Sequence, residues 1–436
     1  MHILFLSDNF PPEVNAPASR TFEHCREWVK AGHQVTVLTC FPNFPGGKIF
    51  PGYHNGLWKI ETMEGIKVVR VWSYIAANEG FLKRILDYLS YMAFSVLLSP
   101  IVKKPDLVVG TSPQFFTSCA AYVISLMRGI PFTFELRDLW PESIKAVGAM
   151  KHPKIIGLLE KIEIFLYRKA AMIISVTESF KENLIGRGID GGKISVITNG
   201  VDTSRFRPGP KDHELEKKYG LQGKFVAGYV GTHGMAHALE TILYSAKQIR
   251  SFPDGDSFRF ILLGNGAGKQ RLVDLFRSLE LDNVILIDSV PKDQVARYWS
   301  LLDASIIHLR KIKLFTTVIP SKLFECMGMG IPILHGVLGE SACIVEKEKI
   351  GIIFEPENAD DLCRKLIRLR NDRELYHQLG TNCTRAAKNY DRRELAARML
   401  TVFSKLPLNG NQPIKQTLKT SVGFSAPRTT HARLLH

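Results

Sequence analysis

Thr317–Gly336, TVIPSKLFECMGMGIPILHG, reads as a strand end, a short helix and a second strand. Pro320 suits the first helical position, and Gly330 followed by Pro332 suits a stop. Leu323, Phe324 and Met327 form an apolar stripe that faces a core. Ser321, Lys322 and Glu325 then crowd the first turns, at spacings of three and four residues that make them neighbours. A helix that only filled a core would need none of them. A lysine beside free backbone N–H groups makes a place for a diphosphate, and a carboxylate one turn deeper can accept hydrogen bonds from both hydroxyls of a ribose. The alternative is a solvated ion pair worth about 0.2–0.5 kcal/mol. Position at a strand end favours the ligand.

The same strand–turn–helix unit recurs on either side. The first half offers HILFLSD, QVTVLTC, IKVVRVW, DLVVGTS, PFTFELRD, MIISVTE and ISVITNG; the second offers FVAGYVGT, FRFILLGNG, NVILIDSV, ASIIHLR, IPILHG and IGIIFEP. Continuous apolar runs fit strands covered on both faces, and strand–helix alternation implies right-handed crossovers and parallel sheets. At 436 residues the chain exceeds one typical core. Asn199–Lys224, rich in Gly, Pro and charge, is the expected joint. The expected fold is therefore α/β, with two doubly wound, Rossmann-like parallel-sheet domains facing across a cleft: residues 1–200 and 201–388. A helical pattern follows at 389–406. The segment 407–436 is expected to be a disordered tail, because it is basic and aperiodic. In such sheets ligands bind beyond the carboxyl ends of the strands.

A composition of 45% hydrophobic and 23% charged residues is that of a globular chain, which argues against a disordered one. The net charge of +15 favours an anionic partner: nucleic acid, lipid headgroups or a phosphorylated ligand. The cysteines at 25, 40, 119, 326, 343, 363 and 383 show neither CxxC nor metal-ligand spacing and read as thiols of a reducing compartment. MHILFLSDNFPPE reaches Asp8 before a signal-peptide core forms, so a cytoplasmic location is expected. Tyr88–Val102 is uncharged and flanked by Lys83-Arg84 and Lys103-Lys104. It is short of the roughly 20 residues a spanning helix needs and contains Pro100, so it reads as a buried helix.

Three further strand-end loops of the second half carry polar candidates. GYVGTHGMAHALE sets Gly231, His233 and Gly234 between a strand and a helix, where glycine serves close ligand approach or simply a tight turn. ILLGNGAGKQ begins a dinucleotide-like pattern at Gly264. It has Lys269 where a third glycine is required and Gln270 where a P-loop needs Ser or Thr. Gly339-Glu340-Ser341 opens the helix after the second strand of the opening stretch, as a diphosphate cradle or as plain caps. PDGD at 253–256 precedes a strand and reads as a turn, not a metal site, so no metal is expected.

In the first half, SDNFPPEVNAPASR follows the first strand and places Asn15 and Arg20 at the start of a helix. FELRDLWPES gathers Glu135, Arg137, Asp138 and Glu142 around a tryptophan. Ionisable groups so concentrated at a strand end are costly unless paired or used.

Taken in order, FELRDLWPES, ITNGVD, GYVGTHG, PSKLFECMGMGIPIL and GESA resemble the family-4 glycosyltransferases of GT-B architecture. Within them the likeness is to bacterial enzymes of O-antigen or capsule synthesis, including N-acetyl-fucosamine transferases. The resemblance runs from Met1 to about Leu406. It implies a second domain that binds a nucleotide sugar, a UDP-sugar, and a first domain that binds a lipid-linked saccharide acceptor. It also implies a helix whose Glu325 meets the ribose while Lys322 meets the diphosphate, and a final helix, 389–406, that crosses back to the first domain. With the strand-end candidates above, the expected donor side is Gly231, His233, Gly234, Gly264, Ser321, Lys322, Glu325, Gly339, Glu340 and Ser341. The expected acceptor side is Asn15, Arg20, Glu135 and Glu142, with Asp138, Arg137 and Lys322 as candidates for the chemistry. Thr317 stands where many relatives carry an earlier glutamate, and Asn15-Ala16-Pro17-Ala18 replaces a diglycine. The charge, the apolar 82–104 segment and the mixed basic and apolar 151–169 segment suit an anionic inner-membrane surface. Two rivals remain: a non-hydrolysing nucleotide-sugar epimerase, and a nucleic-acid-binding protein. Against the second, no basic helix with interleaved aromatics is present.

Overall fold

The computed structural model describes residues 1–44, 46–75, 81–142 and 152–407. Lys151 and the tail beyond Pro407 lie outside the described residues. The first half runs β1 (His2–Leu6), α1 (Ala16–Lys30), β2 (Gln34–Cys40), β3 (Trp58–Met63), β4 (Ile66–Val71), α2 (Phe81–Leu98), β5 (Leu107–Thr111), α3 (Phe115–Arg128), β6 (Phe132–Leu136), α4 (Pro153–Lys169), β7 (Met172–Ser175), α5 (Glu178–Gly186) and β8 (Ile194–Val196). The second half runs α6 (His213–Lys218), β9 (Phe225–Val230), α7 (Glu240–Ile249), β10 (Phe258–Leu263), α8 (Lys269–Ser278), β11 (Val284–Ile287), α9 (Val295–Trp299), β12 (Ala304–His308), α10 (Lys322–Met329), β13 (Ile333–Gly336), α11 (Glu340–Glu348) and β14 (Gly351–Ile353). It closes with α12 (Ala359–Asn371), α13 (Arg373–Ala387) and α14 (Arg392–Phe403).

Two sheets result, as the alternation predicts. The first has eight strands in the order β3-β4-β2-β1-β5-β6-β7-β8, and the second six in the order β11-β10-β9-β12-β13-β14. All pairings are parallel except β3 with β4. The apolar-run reading missed β3, because WKIETM alternates and sits on an exposed edge. Its signal was the two-residue Glu64-Gly65 loop, whose positive φ angles of 45° and 80° make the hairpin turn.

Successive residues of each strand face opposite layers. Ile3 and Phe5 enter a core with Trp28 and Phe403, while Leu4 and Leu6 join Tyr91 and Phe134 on the other side. The second sheet is covered likewise, with Val226 and Phe324 on one face and Tyr229 and Leu366 on the other. Strand order reverses beside β1 and beside β9, where each sheet opens a crevice at its carboxyl edge. α2 is amphipathic rather than buried throughout: Tyr91 and Leu98 enter the core, and Leu86, Leu89 and Leu97 face outward. Among the described residues, no helix is long and apolar enough to cross a membrane.

The chain crosses between the sheets twice, at adjacent points. Val201 N donates to Tyr390 O at 2.9 Å, and Arg392 N donates to Val201 O at 3.0 Å. The joint is thus shorter than Asn199–Lys224, since Phe206, Leu215 and Leu221 of that stretch are buried in the second core. α14 then lies on α1, where Trp28 Nε1 donates to Ala396 O at 3.0 Å. A Cβ on Gly200 would stand 2.2 Å from Tyr390 O and 2.5 Å from Leu395 Cδ1. Gly200→Ala is therefore expected to destabilise the protein by about 1–3 kcal/mol by forcing the crossings apart. Urea unfolding measures this, and an unchanged midpoint would show that the crossings part freely.

Candidate functional site

The floor of the second-domain crevice is made by two glycine loops fastened to each other. Gly231 N donates to Leu263 O at 2.9 Å, His233 N to Asn265 O at 2.9 Å, and Gly268 N to His233 O at 2.7 Å. Gly264, at φ 147°, is there for that contact, since a Cβ would lie 1.8 Å from Gly231 O. Lys269 closes the far side, with its Nζ donating to Gly264 O at 3.2 Å and pairing with Asp288 at 3.4 Å. Gly231, at φ 145°, has a different neighbour: its missing Cβ would point at Lys322 Nζ, 3.1 Å away.

Helix α10 begins at Lys322, so Pro320 sits in the lead-in turn and not at the first helical position. Leu323 N donates to Pro320 O at 3.0 Å, and Gly330 ends the helix in the left-handed region at φ 69°. Ser321 occupies the cap position without a side-chain cap bond. Lys322 and Glu325 form no ion pair; the ammonium lies 3.6 Å over the centroid of the Tyr229 ring, a cation–π contact in a desolvated place. Burial pulls its pKa down to about 7, against the charge of Glu325. Glu325 Oε2 accepts from Trp299 Nε1 at 3.2 Å. Burial raises its pKa, while Lys322, Arg205 and Lys292 act in the opposite direction. Arg205 carries a buried Nη2 without a partner.

Four histidines lie behind this site, and burial keeps them neutral at pH 7. His233 is lowered to about 4, with Lys269 and Lys322 adding to burial. His237 falls to about 3 and His335 to about 3, and His308 is also lowered. Both ring nitrogens of His233 are buried without a partner, whereas His335 Nε2 meets Ser341 Oγ at 2.9 Å. Ser341, in the first turn of α11, is thus fixed against β13. Gly339, at φ 82°, leaves no room for a side chain, since a Cβ would stand 2.0 Å from Thr316 O. Gly234 follows His233 in the loop.

Glu340 does not turn toward Lys322. Its carboxylate accepts from Glu178 N at 2.7 Å and Ser179 N at 2.8 Å, across the cleft in the first domain. The acceptor-side candidates divide similarly. Asn15 caps α1, accepting from Ala18 N at 2.9 Å and bonding Asn9. Arg20 and Glu135 are a buried ion pair at 3.0 Å. Burial pushes Glu135 up, but Arg20 and Arg137 outweigh it and hold the carboxyl low. These three positions build the scaffold instead of lining an open surface. Arg137, just past the end of β6, keeps buried Nε and Nη1 atoms without a partner, and burial draws its pKa to about 10. Ser112 Oγ accepts from Arg137 N at 2.7 Å and Asp138 N at 3.2 Å, which fixes both residues at the end of β6. Glu142 is exposed.

Sequence reasoning passed over several groups. Glu13 accepts from Asn43 N at 2.9 Å and Phe44 N at 2.8 Å, and burial lifts it to about 7. Asp87 is likewise lifted to about 7 by burial, with Asp8 adding repulsion. The PPE turn after β1 was a visible signal for Glu13. Arg205, Lys292 and Trp299 had none, because only the fold brings them to Glu325. Among the described residues, no three His, Cys, Asp or Glu side chains converge as metal ligands.

Residues 18–205 match Glycosyltransferase Family 4, and residues 211–386 match Glycosyl transferases group 1. The chain is 24% identical over 340 residues to WcaI of Escherichia coli K12, assigned to colanic acid biosynthesis as a glycosyl transferase, covering 76% of this chain and 82% of that one. It is 24% identical over 376 residues to the capsular polysaccharide biosynthesis glycosyltransferase CapM of Staphylococcus aureus, covering 83% and 92%. The solved structure of Anabaena HepE in complex with UDP-glucose superposes with a TM-score of 0.68 at 16% identity, over 93% of this chain and 100% of that one. The two family matches leave only the chain ends and the short joint uncovered, and the chain belongs to the family-4 glycosyltransferases of GT-B architecture.

Proposed function

We propose that this glycosyltransferase moves a sugar from a nucleotide diphosphate, in our reading a UDP-N-acetyl sugar such as UDP-N-acetyl-fucosamine, to a hydroxyl of a lipid-linked saccharide in O-antigen or capsule synthesis. The observation that carries this reading is Lys322, whose ammonium stands between the Tyr229 ring and the bare Cα of Gly231. One turn on, Glu325 presents a carboxylate braced by Trp299. The UDP-glucose in HepE, which shares the fold, supports the donor class, and the names of WcaI and CapM support the polysaccharide.

In this reading the leaving diphosphate gains negative charge, which Lys322, the backbone near Gly231 and the start of α10 stabilise, with no metal taking part. Glu325 takes the ribose hydroxyls. The acceptor hydroxyl enters from the first domain, where Arg137 and Asp138 orient it. The outer faces of α2, α3 and α4 then meet an anionic membrane. They carry exposed Leu86, Leu97, Leu126 and Leu158 beside exposed Lys83, Lys154 and Lys161.

In a thermal-shift panel, UDP-sugars are expected to stabilise the protein more than other nucleotide sugars. Lys322→Ala should cut turnover about 100-fold with the fold intact by circular dichroism; near wild-type turnover would remove Lys322 from the mechanism. A proton balance follows from the pKa of Lys322, which is about 7 in the free enzyme. A bound diphosphate favours the ammonium and raises that value. At pH 8 donor binding should therefore take up close to about one proton, at pH 6 almost none. Calorimetry in buffers of differing ionisation enthalpy reads the uptake, which Lys322→Met should abolish. Finally, co-sedimentation should be stronger with anionic than with neutral liposomes and should fall with salt. Equal retention would defeat the electrostatic part.

A further inference from the structure

The two domains meet through polar contacts on both flanks of the site. On one flank, Glu340 accepts from the N–H groups of Glu178 and Ser179, the first two of α5. The next, Phe180 N, is capped by Thr177 Oγ1 at 3.0 Å. A helix start leaves four N–H groups open; here two are filled from the opposite domain, by a negative charge at the positive end of the helix dipole. Both carboxylate oxygens of Glu340 are thus engaged outside its own helix α11, whose N-cap is Gly339. On the other flank, Lys292, in the loop between β11 and α9, donates from Nζ to Ser19 Oγ at 2.6 Å and lies 3.4 Å from Glu23 Oε1, both on α1. Glu23 is held in turn by Arg392, where the chain recrosses.

Sheet order makes these flanks meaningful. β11 is one edge of the second sheet and β13 is next to the other. The loops after β9, β10 and β12, which carry Gly231, Gly264 and Lys322, lie between them. The covalent crossings at Val201 and Asp391 are adjacent, so they do not fix the angle between the domains.

We propose that Glu340 and Lys292 form a two-point clamp that holds the first domain shut over the donor site, making both positioning residues for transfer. Both contacts sit at loop or helix starts, between groups that water can serve when they part, so the clamp reopens for product release. The kinetic part rests on the reading of the cleft as the transfer site, whereas the closure itself is measurable without substrate.

The test uses the full chain. Small-angle scattering and a spin-label distance between the domains, with labels on non-native amino acids, read closure. Transfer and donor hydrolysis are followed in parallel. Glu340→Ala and Lys292→Ala should each shift the closed-to-open ratio about tenfold toward open, as the loss of hydrogen bonds to charged groups implies. Transfer kcat should fall about as much in both, with donor KM changed less than about twofold in Glu340→Ala, which lies away from Glu325, and a larger share of donor lost to water. Ser179→Pro removes one N–H from the first-domain side at a helical first-turn position that tolerates proline, and should reproduce part of the Glu340→Ala effect. Lys292→Arg should restore closure. An unchanged interdomain distance in the Glu340→Ala/Lys292→Ala double variant would overturn the clamp, as would lost turnover with closure intact. A wild-type protein that closes through these residues but turns over no nucleotide sugar would instead sink the proposed function alone.

Discussion

Arg20 is where the molecule is tied. Its Nε meets Glu135 at 3.0 Å, Nη1 donates to Thr198 O at 2.8 Å and Asn199 Oδ1 at 3.2 Å, and Nη2 donates to Ile197 O at 3.1 Å. One guanidinium thus joins α1, the end of β6 and the chain as it leaves the first sheet. A buried ion pair is tolerable only when its remaining donors are satisfied, because desolvation otherwise exceeds the Coulombic gain. Here the outgoing backbone supplies the acceptors, so the point of exit is set by the same group that orders the crevice. Gly200 follows directly, and the crossing beside Tyr390 can be tight because the preceding residues are already fixed.

The second crevice works by the opposite arrangement. Lys322 has a ring beneath it and no carboxylate in contact, and the histidines behind it are kept neutral by burial. A cation left with an incomplete set of partners in a partly dry place is poised for an anion, since the ligand then replaces little that the protein itself provides. Glu325, braced by Trp299 one turn along, separates the anionic part of a ligand from its hydroxyl-bearing part. The two halves of the cleft therefore differ: Arg20 and Glu135 pair within the scaffold on one side, whereas Lys322 is held without a carboxylate in contact on the other.

Lys292 and Glu340 join them by polar contacts at the rim. Small polar interfaces between domains permit relative motion, and Lys292 and Glu340 are placed where such motion would be checked. This accounts for an acid at the start of α11 whose carboxylate is engaged by the helix start of the other domain.

The sequence alone determined the parallel α/β class, the two sheets and the helix bearing Lys322 and Glu325. Those features depend on local periodicity, glycine stops and short spacings that any reader of the chain can count. It also put Arg137 and Asp138 at a strand end, and they directly follow β6. It left open which partners Asn15, Arg20, Glu135 and Glu340 take, because a polar side chain near a strand end looks the same whether it meets a ligand, a cap or a partner far along the chain. The edge strand β3 escaped because its exposed alternation resembles a loop. Only the tertiary structure decided which charges are paired, since Arg20 and Glu135 are 115 residues apart and Lys292 and Ser19 are 273 apart. Pairing over such separations is settled by how the sheets face each other, and no local pattern encodes it.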